Sequence, residues 1–386
     1  MVDVQGRCGP GFEAVQEAFA ANFEHGVDAG ASVAVTVDGE LVVDLWGGTL
    51  HDADDGSGTG AWAEDTLINV YSTTKTMSFL CVLLLVDRGE VDLDAPVARY
   101  WPDFAAGGKA DTVLVRHLLA HNAGLSGWDE PLAPEDLYDH DKLVGLLAGQ
   151  EPWWEPGTKS GYHALSQGYL LGELVRRVTG RTLGTFFAEE LATPLEADFH
   201  IGLDPRHDSR VTRVIPVPPI QAAPDGDADR TTIAYRTFSN PRLEASASFT
   251  DPWRRAEIPA AGGHGNARSV AMAQRLISTG GEVGGNRLLS EQTCEHILEI
   301  QAAGRDLVLG VGVTFGLGYG LNSPKAPIGP NDRTCYWGGW GGSLVLNDLD
   351  ARMTMAYVMN KMGEGTVGDE RAHSILSGVY SSLGPA

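Results

Sequence analysis

The strongest constraint on how this chain folds is the run Phe79-Leu80-Cys81-Val82-Leu83-Leu84-Leu85-Val86, which offers no polar face to water. Together with Met77 and Ser78 it predicts a helix buried on all sides, because a helix apolar around its whole circumference needs protein everywhere. It is far too short to span a bilayer. Immediately before it stands Ser72-Thr73-Thr74-Lys75. Residues three apart share a helical face, so the lysine amine can reach the serine hydroxyl. A free serine is a weak nucleophile that needs a base beside it, and a deprotonated lysine supplies one. Of the six lysines (Lys75, Lys109, Lys142, Lys159, Lys325 and Lys361), only Lys75 has a serine three residues earlier. Leu67-Ile68-Asn69-Val70-Tyr71 predicts a strand or its approach. Ser72 then falls at a helix N-terminus, where N–H groups and the helix dipole favour developing negative charge. Taken alone, Ser72 also suits the plain task of capping the buried helix.

The remaining composition narrows the class. At 386 residues the chain can form one large domain or two entwined ones with ample core. A net charge of -23 argues against a broad basic surface for nucleic acid or anionic membrane, so neither is expected as a partner. The opening Met1-Val2-Asp3-Val4-Gln5-Gly6 has no basic and apolar secretory signature. Cys8, Cys81, Cys294 and Cys335 are scattered, as free thiols in a reducing compartment are, and the expected location is cytoplasmic. There is no H-E-x-x-H and no Cys/His cluster, so no metal and no other cofactor is expected. Asp225-Gly226-Asp227-Ala228-Asp229 imitates an EF-hand start, but Arg230 stands where its glycine belongs. Ala164-Leu165-Ser166-Gln167-Gly168 imitates a nucleophile elbow without a convincing strand before it.

Organisation along the chain predicts an α/β (α+β) architecture. Phe12, Val15, Phe19 and Phe23 form one helical stripe ending at Gly26. Ala31–Val37 and Leu41–Trp46 flank Asp38-Gly39, a strong hairpin signal. Near the other end, Ser343–Leu346 and Met353–Met359 predict two strands around Asn347-Asp348-Leu349-Asp350. A last helix carries Ile375, Leu376, Val379, Tyr380 and Leu383. Between the ends the pattern is helical, as over Val115–His121 and Ser166–Val178, with a long loop region marked by Pro216-Val217-Pro218-Pro219 and the acidic run at 225–229. The expected fold is an antiparallel sheet flanked by helices and formed by both chain ends (residues 10–70 and 255–386). Residues 71–254 form an inserted, mainly helical domain, with the active site between the two.

A serine–lysine pair needs a proton relay and donors for an oxyanion. Pro156-Gly157 turns the chain toward Tyr162, whose hydroxyl, set beside a lysine, is expected to lose its proton more readily than a free phenol with its pKa of about 10. Late in the chain, Tyr336-Trp337-Gly338-Gly339-Trp340-Gly341-Gly342-Ser343 is glycine-dense ahead of a strand. Glycines there let a substrate lie against the strand edge. Trp128, Trp153, Trp154, Trp337 and Trp340 either line an acyl pocket or simply pack. His121 and His264 are expected to make structural hydrogen bonds.

These motifs, in this order, resemble the serine β-lactamase and penicillin-binding-protein superfamily: S-x-x-K, a tyrosine motif, then a glycine-bearing edge strand. The likeness is closest to the class C β-lactamase-like branch that includes family VIII carboxylesterases. It extends through Val115-Arg116-His117-Leu118-Leu119-Ala120-His121-Asn122-Ala123-Gly124-Leu125, Gly262–Ser269 and Gly316–Gly320. The resemblance implies a β-lactamase-like fold and a serine esterase of the EC 3.1.1 type working through an acyl-enzyme. Ser72 would be the nucleophile, Lys75 its base and Tyr162 the proton relay, with an oxyanion hole from the N–H groups of Ser72 and Trp340. Trp337, Gly338, Gly339, His163 and Trp154 would touch the substrate, a small ester or acyl compound. Two departures stand out: Tyr162-His163-Ala164 lacks the family's asparagine, and Trp337-Gly338-Gly339 lacks its lysine or histidine. Both favour an ester without a carboxylate at that position. An acyltransferase, peptide cyclase or thioesterase using the same intermediate, a β-lactamase or D-amino-acid peptidase, and an inactive binding protein on the same scaffold remain alternatives. The sequence leaves the oligomeric state open.

Overall fold

A computed structural model describes residues 2–51, 60–217, 229–324 and 326–384. Pro218, Pro219 and positions 225–228 of the expected loop region lie outside the described residues.

The chain's two ends build one sheet. Its strands are β1 (Gln5–Cys8), β2 (Gly30–Val37), β3 (Glu40–Gly48), β4 (Ala302–Arg305), β5 (Gly312–Phe315), β6 (Gly320–Leu321), β7 (Thr334–Gly338), β8 (Leu344–Asp348) and β9 (Met353–Met359). They lie in the order β1-β3-β2-β9-β8-β7-β6-β5-β4, with every neighbouring pair antiparallel. The β2–β3 hairpin turns at Asp38 and Gly39, whose φ values of 51° and 81° are the left-handed pair that a tight hairpin requires. The β8–β9 connection likewise uses Arg352 at φ 50°. The pairing of β9 with β2, Ala356 opposite Ala34, joins the two ends of the chain. Strands β1 and β4–β6, with no long apolar alternation of their own, are additions to the expected sheet. Trp337 and Gly338 belong to β7 itself rather than to a loop ahead of a strand.

Period-2 alternation decides which layer each side chain joins. Val33 and Val35 of β2 and Met355 and Tyr357 of β9 face α1 (Glu13–Glu24) and the C-terminal helix Glu370–Leu383, while Ala34 and Ala356 face the other core. Both faces are covered, so β2 is buried along nearly its whole length. Helix Ala267–Ser278 packs on that second face, against β2, β8 and β9.

The apolar run forms α2 (Lys75–Asp87), buried from Lys75 through Leu85. It packs against α3 (Ser166–Thr179) and the short helix Leu183–Phe187. Each of its fully buried Leu, Val and Phe side chains contributes about 1.5–3 kcal/mol over exposure, so this helix anchors the region holding the serine. Residues 71–254 also supply two short strands, His200–Ile201 and Val211–Thr212. These complete a small four-stranded sheet with Leu67–Asn69 and Gly263–Gly265. Among the described residues, no helix is long and apolar enough to cross a membrane.

Candidate active site

Ser72 stands where the small sheet meets the buried helix. After Leu67–Asn69 the chain makes one 3₁₀ turn, Tyr71–Thr74, and α2 begins at Lys75. With three residues per turn, positions i and i+3 eclipse, and Lys75 Nζ lies 3.1 Å from Ser72 Oγ. Tyr71, just before the serine, has φ 45°, an uncommon conformation for a residue with a bulky side chain. Its hydroxyl donates to the Ala245 carbonyl (3.0 Å) and its ring meets Trp340 edge-on at 5.3 Å. Thr74 Oγ1 accepts from the Gly263 N–H at 2.9 Å, and Thr73 Oγ1 lies 3.0 Å from Ser343 Oγ. The serine turn is therefore tied to both sheets.

Lys75 is only 1% exposed. Its Nζ donates to the carbonyls of Ala164 (2.7 Å) and Ala260 (2.9 Å), and burial drives its pKa well below the ordinary lysine value. A neutral amine has two N–H bonds and one lone pair. With its two N–H groups on the two carbonyls, such a neutral amine would turn its lone pair to the Ser72 hydroxyl. Tyr162 OH lies 2.6 Å from Ser72 Oγ on the other side. Its pKa is raised by burial, only partly offset by that hydrogen bond. The expectation of an easily ionised phenol is thus corrected: removal from water outweighs the Ser72 hydrogen bond, and the Tyr162 pKa moves up rather than down.

Two further contacts hold Tyr162. Its N–H donates to Asp306 Oδ1 (3.0 Å), which also accepts from the N–H groups of Val308 and Leu309, both at 2.8 Å. The His121 ring packs 5.0 Å from the phenol ring, and His121 Nδ1 accepts from the His163 N–H at 3.0 Å. Nothing in the sequence marks Asp306 among 51 acidic residues. Its role arises only when the 306–309 turn folds over the tyrosine.

Ser72 and Tyr162 border a cavity of about 370 Å³, walled mostly by apolar groups including Ala164, Leu165, Phe238, Leu243, Leu309 and Trp340. Trp340 lies in the turn beyond β7, and among the described residues neither its N–H nor that of Ser72 has a protein acceptor. That turn is held from behind. Arg371, which is ion-paired to Asp28 and Asp369, donates to the Gly341 carbonyl at 2.8 Å, and the Gly341 N–H donates to Gly365 at 3.0 Å. A wider recess of about 610 Å³ runs along β4 and β5, and no lysine is among the described residues of its wall.

Several expected substrate contacts are not among the cavity walls. Trp337 is buried, stacked on His121 with ring centroids 5.3 Å apart and planes 14° apart. His163 is fully buried, Nε2 accepting from the Leu125 N–H (3.1 Å) and Nδ1 2.6 Å from the Gly161 carbonyl, and burial lowers its pKa to about 4. Trp154 donates to the Lys159 carbonyl at 2.9 Å. The space kept clear by Gly338 and Gly339 is taken by protein. A methyl on Gly338 would meet Thr366 O at 2.6 Å, and one on Gly339 would meet Val70 O at 2.3 Å. Of the five tryptophans considered, Trp340 alone lines this cavity. Among the described residues, no group of three His, Cys, Asp or Glu side chains is placed to hold a metal ion.

The family model described as Beta-lactamase matches residues 19–380. Esterase/beta-lactamase LipL of Mycobacterium tuberculosis (strain ATCC 25618 / H37Rv) is 35% identical over 385 residues, spanning 98% of this chain and 87% of that protein. A crystal structure of a family VIII carboxylesterase is 40% identical with a TM-score of 0.91, over 98% of this chain and 100% of that one. A penicillin-binding protein homologue from Caulobacter crescentus is 36% identical with a TM-score of 0.88, over 98% and 100% of the two chains.

The Asp306 contacts generate a direct test. Asp306→Ala removes the acceptor shared by three amides, so hydrogen exchange at Tyr162, Val308 and Leu309 is expected to accelerate at least about tenfold, the equivalent of about 1.4 kcal/mol of local opening. Exchange at α2 amides should be unchanged. Unaltered protection at Tyr162 would show that Asp306 does not hold it.

Proposed function

The chain belongs to the β-lactamase family and is a serine hydrolase acting on esters, and we propose that it works through an acyl-enzyme formed on Ser72. The observation that carries this reading is the contact series Lys75 Nζ–Ser72 Oγ–Tyr162 OH, 3.1 and 2.6 Å, at the edge of an apolar cavity. Neutral Lys75 takes the Ser72 proton as Oγ attacks the ester carbonyl. The N–H groups of Ser72 and Trp340, both without protein acceptors among the described residues, receive the oxyanion. Tyr162, still a phenol, gives its proton to the departing alkoxide and is reprotonated with the proton that Lys75 took from Ser72, so that both groups return to their starting forms. Water then attacks the acyl-enzyme with the same groups acting in reverse, releasing the acid and restoring the serine. The four free thiols support a reducing, cytoplasmic setting.

Substrate preference follows from what the wall lacks. Ala164 stands where the resembled lactamases carry asparagine, and Trp337 replaces their cation on the strand. Loss of a charge-assisted bond to a penicillin carboxylate costs about 1.5–3 kcal/mol, whereas apolar walls gain about 0.8 kcal/mol per buried CH₂. For p-nitrophenyl butyrate, kcat/KM is expected to exceed that for benzylpenicillin by several decades in steady-state assays. Comparable values would reject the substrate assignment.

The nucleophile is tested by intact mass spectrometry after treatment with a serine-reactive phosphonate, followed by digestion to find the labelled residue. One adduct at Ser72 is expected. Ser72→Ala should take no label and lose ester hydrolysis by several orders of magnitude with the fold intact. A folded variant keeping more than about a tenth of the activity would sink the assignment.

The pH profile tests Lys75 separately. Its folded-state pKa is lowered by burial, so the base form exists above that lowered value and is lost as pH falls through it. Accordingly kcat/KM should rise with pH and level off well below the free-lysine pKa of about 10.4. An acid limb centred near the free-lysine value would exclude Lys75 as the base.

A further inference from the structure

We propose that Arg242, at the mouth of the Ser72 cavity, binds a carboxylate carried by the ester substrate at a distance from its scissile bond. This makes the preferred substrates monoanionic esters, and it rests on the reading of this cavity as the ester site. Arg242 is the one formally charged side chain among the described cavity walls. The others are aromatic, aliphatic or hydroxyl-bearing, and no carboxylate is among them. The placement is unusual in a chain of net charge -23. The general field of such a protein repels anions, so a lone cation at the cavity mouth is a local exception.

Arg242 also lacks a partner. It is exposed and, among the described residues, makes no hydrogen bond or ion pair through its side chain. Nearby arginines are occupied: Arg236 pairs with Asp129 and covers the Trp153 ring at 3.8 Å, Arg254 pairs with Asp251, and Arg255 pairs with Asp208. The backbone beneath Arg242 is held firmly. Asn240 Nδ2 donates to the carbonyls of Trp128 (2.8 Å) and Glu130 (2.9 Å), and its Oδ1 accepts from the Leu132 N–H at 2.7 Å. Pro241 is buried, and Leu243 packs against the core as it lines the cavity. A free, planar guanidinium on an anchored backbone suits two-point recognition of a carboxylate. Ser72 is half-buried and Arg242 is exposed, so the two stand at different depths of one cavity wall.

The charge could enter on either side of the ester, and two probes distinguish them. One is the mono-p-nitrophenyl ester of glutaric acid, with the carboxylate on the acyl chain. The other is 4-carboxyphenyl butyrate, with the carboxylate on the leaving alcohol. Each is compared with p-nitrophenyl butyrate as the neutral reference. In Arg242→Gln, the ratio of kcat/KM for the anionic ester to that for the neutral ester is expected to fall about tenfold for one probe, the scale of a lost charge-assisted bond. It should fall further in Arg242→Glu, and the probe affected identifies the side of the ester. If the ratio for both probes stays within about twofold of wild type in both variants, Arg242 is only a solvated surface charge and the inference is overturned. The underlying reading fails differently: wild-type enzyme would then leave all three esters intact and take no phosphonate on Ser72.

Discussion

The arrangement around Ser72 depends on one lysine nitrogen that the fold has taken out of water. Burying a charged ammonium is costly, and the protein avoids that cost by lowering the Lys75 pKa and surrounding the amine with acceptors. Those acceptors come from distant parts of the chain. Ala164 precedes α3, and Ala260 precedes the strand Gly263–Gly265. Both carbonyls reach one nitrogen only if α2, α3 and the small sheet have docked correctly. The surroundings of the Lys75 amine are therefore a product of tertiary assembly, not of the local turn.

A second buried lysine makes the contrast clear. Lys109 donates to three backbone carbonyls, those of Ala106, Ala148 and Gln150. Three carbonyl acceptors require three N–H bonds, so this group functions as an ammonium clamp across a loop, although burial lowers its pKa to about 8. At Lys75 one of the three carbonyls is replaced by a serine hydroxyl, which can give a proton as well as accept one. That exchange separates a structural cation from the amine proposed as the base.

The Trp340 turn is held by a different kind of interaction. Arg371 is almost fully buried but faces Asp28 and Asp369, and the same guanidinium reaches the Gly341 and Lys361 carbonyls. Its own helix closes over α1, where Gly378 lies so close that a methyl would sit 2.9 Å from the Ala14 carbonyl. The packing of the two chain ends thus extends to the turn that carries Trp340. Breaking one partner of such a buried pair is far more damaging than the net worth of the pair suggests.

The β2–β3 and β8–β9 hairpins, the buried α2 and the Ser72-x-x-Lys75 spacing were legible in the sequence because each is set by local chemistry: turn residues that accept positive φ, period-2 alternation, and an apolar run with no wet face. Tyr162 could be picked out through its motif. The lining of the cavity could not, since it depends on which face each aromatic group presents once the layers close. That is why Trp337 and His163, near the motifs in sequence, pack behind the tyrosine, while Leu309 and Arg242 come to the cavity from loops without a local signal. The glycines at 338 and 339 mark close approach, as the sequence indicates, but the approaching groups are Thr366 and Val70 of the protein. Sequence by itself determined the Ser72–Lys75 spacing and the sheet that both chain ends build. Tertiary structure decided which way burial moves the pKa values of Lys75 and Tyr162 and which residues wall the cavity, because burial and long-range carbonyl contacts exist only in the assembled fold.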